Sequence, residues 1–177
     1  MFYIPRIVKA AKLGDAAILK ALIKILSENN IKVIRLNTFN PELTLKKGVY
    51  TRVKPSKEEK EQILKGIKTL KKINSYNHTQ AVIIRDNKVI SLETRKGTKE
   101  MIKRVPKSKI KNGILIKLPK AKQDLRVDLP TIGIDTFKDC NIAGIKGIAV
   151  KSNQNIILDK EISIKYANRN KLFLVAI

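Results

Sequence analysis

The chain has 177 residues, 43% of them hydrophobic, and a formal net charge of +23 from 38 Lys and Arg against 15 Asp and Glu. That is enough apolar material for one packed domain, and no apolar run has the length of a membrane span or the pattern of a secretory leader. A lone cysteine, Cys140, excludes an internal disulfide, and the absence of a Cys/His cluster excludes structural zinc. Residence in the cytoplasm is the expectation.

The first helical pattern runs from Asp15 to the Asn29-Asn30 pair, with Ile18, Leu19, Leu22, Ile23, Ile25 and Leu26 on one face. IKVIRL, residues 31–36, reads as a strand, and 37–53 as a loop punctuated by Pro41 and Gly48. Ser56 and Glu59 have the spacing of a capping box and open a second helix to about Ile73, whose apolar positions are Ile63, Leu64, Ile67, Leu70 and Ile73. QAVIIR and VISLET form a hairpin about Asp86-Asn87-Lys88. Thr98 is placed to cap a short helix containing Met101, Ile102 and Val105. GILIKL is a strand, Asp135 or Thr136 opens another helix, and GIAV, NIIL and LFLVAI are strands with a helix near Asp159 to Asn168. The alternation predicts an α/β fold: a single domain with a mixed β-sheet flanked by helices. Residues 1–36 hold too little to close a core, which suggests a division into 1–36, a linker over 37–53, and a domain over 54–177.

The charge invites a nucleic-acid reading. Aromatics make up only 5% and Trp is absent, so the stacking platforms of single-strand binders are missing. No nucleic-acid motif appears, so no specific nucleic acid is expected, and a basic nucleic-acid-associated protein survives as an alternative on charge alone. His78, the only histidine, reads as a surface or capping residue, and Cys140 as structural.

GILIKL runs directly into KLPKAKQDLRVDLPTIG, residues 117–133. Here Asp124 and Asp128, four residues apart, lie among Lys117, Lys120, Lys122 and Arg126, between Pro119 and Pro130. The loop leaves a sheet at the place where α/β proteins build their sites. Paired carboxylates are the hard oxygen ligands that Mg²⁺ takes, and neighbouring cations suit phosphate oxygens, so the stretch carries the ingredients for hydrolysis of a phosphate or diphosphate. The competing reading is local: Asp128 caps Thr131 or pairs with Arg126.

The string matches the pattern K-x-x-K-x-x-Q-D-x-R-x-D-L-P-T-I-G, and in it the chain resembles the magnesium-dependent UDP-2,3-diacylglucosamine pyrophosphatase family of bacterial lipid A biosynthesis. GDAAILKALI, QAVIIRDNKVISLET followed by KGT, IAGIKGIAV and the final LFLVAI resemble that family in the same order. The resemblance implies a hydrolase that splits the diphosphate of UDP-2,3-diacylglucosamine into UMP and 2,3-diacylglucosamine 1-phosphate. It implies catalytic roles for Asp128 and Asp124, and Mg²⁺ held by Asp128, Asp124 and Glu93. Lys117, Lys120, Arg126, Gln123 and Thr131 would meet substrate phosphates. Two departures stand out. Lys96 and Lys99 replace acids around Gly97, and residues 1–36 resemble only the last helix and strand of a further N-terminal domain. The implied partners are the lipid nucleotide sugar, a separately encoded N-terminal domain, the inner-membrane surface through peripheral contact, and a second copy of the chain. A non-catalytic complementing module of a split enzyme is the alternative.

Overall fold

The structure is a computed structural model that describes residues 2–73, 79–108, 110–121 and 123–177. His78 and Lys122 lie outside the described residues. The mixed sheet that the sequence predicts is formed among the described residues by six strands, in the order β1 (Gly48–Val49), β8 (Phe173–Ala176), β6 (Ile145–Val150), β4 (Gly113–Lys117), β2 (Ala81–Arg85) and β3 (Lys88–Leu92). β4 (Gly113–Lys117) occupies the middle of the sheet, parallel to β6 (Ile145–Val150) and antiparallel to β2 (Ala81–Arg85). β6 is parallel to β8 (Phe173–Ala176), so β4, β6 and β8 all present their C-terminal ends on one side of the domain.

Local chemistry sets these elements. Asp86 and Asn87 both adopt positive φ, 49° and 56°, which is the two-residue geometry that matches the twist of a hairpin. They join β2 to β3 (Lys88–Leu92). The capping box at Ser56 forms: the Ser56 N–H donates to Glu59 Oε2 at 2.7 Å and the Glu59 N–H to Ser56 Oγ at 3.2 Å. The helix it opens, α4 (Lys57–Ile73), covers one face of the sheet through Ile63 and Leu70, against Val82, Ile84, Ile114 and Ile116. Gly66 lets that helix approach closely, since a Cβ there would lie 2.6 Å from Ile116 Cδ1. Alternate residues Ala81, Ile83 and Leu115 turn to the other face and pack with α6 (Ile134–Ile142) and α7 (Lys160–Arg169) in the larger core. In β6, Gly147 makes room for the Phe173 ring, which stands 2.1–2.3 Å from where its Cβ would be.

Three sequence expectations are corrected, and one helix is added. Residues 31–35 carry no strand, because the sheet edge beside β8 is taken by β1 (Gly48–Val49), and an apolar run without a neighbouring ladder has no partner for its backbone. Ile31 and Ile34 are exposed there. A helix the periodicity missed, α1 (Ile4–Ala11), precedes α2 (Asp15–Glu28) and pairs with it through a bidentate Arg6–Glu28 contact of 2.6 and 2.8 Å. Leu64 points to solvent rather than to the core. Thr98 lies inside α5 (Gly97–Lys103) instead of capping it, and its hydroxyl donates to Glu93. Within 37–53, Leu45 is fully buried in the larger core, and β1 extends the sheet by pairing Gly48 with Ala176.

Candidate functional site at the C-terminal end of the sheet

The loop that follows β4 begins as the sequence suggests, at a sheet end where two parallel connections meet. It returns to the sheet side through β5 (Thr131–Ile132), which pairs in parallel with β7 (Ile156–Ile157) from the connection after β6. Within the loop the Lys120 N–H donates to Gln123 Oε1 at 2.8 Å and the Gln123 N–H returns to Lys120 O at 3.1 Å. The Asp128 N–H then donates to Asp124 O at 2.9 Å. That bond is one helical turn long, and it puts positions 124 and 128 on the same side of the turn.

The two carboxylates have different partners. Asp124 receives Arg126 in a fork, Nε to Oδ1 at 2.9 Å and Nη2 to Oδ2 at 2.7 Å, and also the Arg126 N–H at 3.1 Å. Those bonds to the charged form hold its carboxyl down at about 2, well below the usual range. The local reading of the sequence is not realised: Arg126 pairs with Asp124, and among the described residues Asp128 neither pairs with Arg126 nor caps Thr131, whose hydroxyl donates to Leu129 O. Asp128 is half-buried and its carboxylate has no hydrogen bond or ion pair among the described residues. Two of the five N–H groups of Arg126 are spent on Asp124, so a fixed guanidinium keeps three donors for an anion.

Behind this exposed turn lies a buried polar layer. Lys117 is 7% exposed, and its ammonium donates to Thr131 O at 2.9 Å. Burial lowers its pKa, and the nearby Glu93 charge offsets part of that. Glu93 is 4% exposed and accepts from the Gln80 N–H at 2.9 Å and from Thr98. The Thr131 hydroxyl donates to Leu129 O at 3.2 Å. Sequence reasoning missed Asn155, which is 1% exposed and joins the same layer through Lys117 O. Its stretch, SNQN, reads only as a polar loop, and nothing in it separates Asn155 from Asn153. It also missed Lys20 and Lys24 of α2, which with Asp124 and Arg126 line a cleft of about 650 Å³. Cys140 is fully buried and its thiol pKa is pushed up, which removes it as a nucleophile.

Among the described residues, no three His, Cys, Asp or Glu side chains gather where they could hold a metal ion. Both oxygens of Glu93 and of Asp124 already have protein donors. Asp128 is the acid of the expected set whose carboxylate remains available. A Mg²⁺ site built wholly from the protein therefore does not fit these residues, whereas one carboxylate completed by substrate phosphates does.

Residues 46–175 match the LpxI C-terminal domain family, which accounts for well over half of the chain. The chain belongs to this family. It is similar to the UDP-2,3-diacylglucosamine pyrophosphatase LpxI of Caulobacter vibrioides, at 28% identity over 182 residues. That alignment takes in 98% of this chain and 65% of the relative. The family match covers β1 through most of β8, and with them the loop of Asp124 and Asp128. No helix among the described residues is long and apolar enough to cross a membrane.

Proposed function

We propose that this LpxI-family chain hydrolyses the diphosphate of UDP-2,3-diacylglucosamine, the reaction named for its Caulobacter relative. Water adds to phosphorus, the bridging P–O bond breaks, and UMP and 2,3-diacylglucosamine 1-phosphate leave. The observation that carries this reading is the pair of groups on one turn: Asp128 with a carboxylate unbonded among the described residues, and Arg126 with a guanidinium fixed by Asp124. A diphosphate needs positive charge where its bridging oxygen departs and an acceptor that orients the attacking water. Arg126 serves the first need and Asp128 the second. Mg²⁺, held by Asp128 together with the substrate's phosphates, would supply further charge neutralisation when bound. Lys120, Gln123 and Thr131 border the turn and complete the phosphate environment. Asp124 acts mainly through Arg126.

A substrate with acyl chains fits reaction at the cytoplasmic surface of the inner membrane, and a net charge of +23 favours approach to acidic lipid. One observation favours a second reading, in which the chain works with a partner subunit or a second copy of itself. The α1–α2 pair leaves Ile4, Val8 and Leu13 exposed at 55%, 53% and 77%, an apolar stripe with no cover among the described residues.

The test is turnover of UDP-2,3-diacylglucosamine with Mg²⁺, comparing wild type with Asp128→Ala. Turnover should fall on the order of 10²-fold or more, with substrate retention and thermal midpoint close to wild type. Near-normal turnover in Asp128→Ala, or a loss explained by unfolding, removes Asp128 from the chemistry. Activity that appears only when a partner domain is added selects the second reading.

A further inference from the structure

We propose that Lys117 and Asn155 are positioning residues that sew the loop after β4 to the connection after β6, and so hold the Asp124–Asp128 turn in its working shape. The proposal builds on the hydrolase reading above only for its activity arm.

The loop leaves the six-stranded sheet at Lys117 and ends at Thr131 in the separate two-stranded β5–β7 sheet, and the Lys117 ammonium donates to Thr131 O at 2.9 Å. One side chain therefore ties the two ends of the loop together. From the other connection, Asn155 Nδ2 donates to Lys117 O at 3.3 Å, while its Oδ1 accepts the Lys151 N–H at 2.9 Å. The next residue continues the seam, with the Ile156 N–H donating to Pro130 O at 2.9 Å. Lys117 is thus the point where three backbone segments are fastened: the strand end, the loop's return, and the neighbouring connection. Two strongly polar side chains at 7% and 1% exposure are costly to bury, and a fold keeps them there when their bonds hold something that apolar packing would leave loose. The groups facing the ammonium are Glu93 from the end of β3, Lys120 from the loop and Cys140 from α6. None of these lies within salt-bridge distance of it, so its directional partner is the Thr131 carbonyl. In this arrangement Lys117 acts behind the turn, and substrate phosphates meet Arg126 in front of it.

The experiment compares wild type with Lys117→Met, Lys117→Arg and Asn155→Ala, by amide hydrogen exchange and by turnover. Lys117→Met keeps the apolar stem and removes the tie, so it should fold. The amides of Gln123, Val127 and Asp128 should exchange about tenfold faster in it, the scale of losing one hydrogen bond to a charged group, while amides of α4 and β2 keep their rates. On UDP-2,3-diacylglucosamine the turnover number should fall at least tenfold with KM changed less, and Lys117→Arg should recover part of it. Lys117→Met and Asn155→Ala combined should cost less than the product of their separate effects, because both loosen one seam. Wild-type exchange at the turn overturns the proposal, as does an acceleration that is uniform over the whole domain. A wild-type protein without turnover counts against the hydrolase reading, and the exchange comparison then decides the positioning role unaided.

Discussion

The inner and outer layers of the site use the same residue types in opposite ways. Behind the loop, Lys117 and Glu93 are buried and spend their polar atoms on backbone groups and a hydroxyl. In front, Asp124 and Arg126 make a fork in contact with solvent, with side-chain exposures of 23% and 42%, and Asp128 has no partner among the described residues. A buried charge must have its bonds satisfied inside the protein, so it becomes structural and costly to remove. A half-exposed charge is held loosely enough for ligand to take over from water. The difference separates residues whose loss unfolds or loosens the domain from residues whose loss stops the chemistry alone.

The largest expected effect that sharpens this contrast comes from the inner layer. Glu93→Ala strips the partner of the Gln80 N–H and of Thr98, and leaves the buried Lys117 ammonium without its nearest negative charge. Chemical denaturation should show a loss of about 3 kcal/mol, the usual cost of breaking a buried charged network. A loss under about 1 kcal/mol would mean that Glu93 belongs with the outer layer, and would return it to consideration as a metal ligand.

Arg126→Lys should do the reverse. The fork to Asp124 is lost, but an exposed ion pair contributes at most about 1 kcal/mol, so the thermal midpoint should hardly move. Turnover should still fall at least tenfold, because a lysine presents a point charge where the arginine presents oriented donors. A variant that is destabilised yet fully active would invert the assignment of the two layers.

The smallest effect is in acid. The Asp124 carboxyl is held at about 2 in the fold against 3.8 for the free group, so the unfolded chain takes up its proton first as pH falls. The contribution of Asp124 to stability is therefore fully present above about pH 4 and is lost as pH drops towards 2. Comparing wild type with Asp124→Ala by denaturation between pH 5 and pH 2 should show two curves that converge at the acid end. Parallel curves would mean that the Arg126 fork does not persist in solution.

Much of the scaffold was legible without coordinates because its signals are short in range. The Ser56–Glu59 box, the Asp86-Asn87 turn and the apolar run in QAVIIR each depend on residues a few positions apart, and each formed. The same reasoning named the loop of Asp124 and Asp128, since paired acids among lysines after a strand are visible in one dimension. Strand identity at IKVIRL was not legible, because a ladder needs a neighbour, and the edge beside β8 went to Gly48–Val49. The helix α1 escaped because it is only eight residues long and no side chain caps its start, so nothing local marks where it begins.

What the amino-acid sequence by itself determined is therefore the kinds of element and their order from Lys57 onward, and the stretch where the polar chemistry gathers. Tertiary structure alone decided which polar residue does what within that stretch. Asp124 and Asp128 have the same side chain and similar sequence surroundings, yet one is bound by Arg126 and the other has no bonding partner among the described residues. Lys117 and Lys120 begin the same motif, yet one is sealed under the loop and the other is only half-buried at its surface. Asn155, 38 positions beyond Lys117, reaches that lysine because β4 and β6 are adjacent and parallel. Burial and the partners brought by distant strands set the energy of each charge, and neither quantity is a property of the residues next to it in the chain.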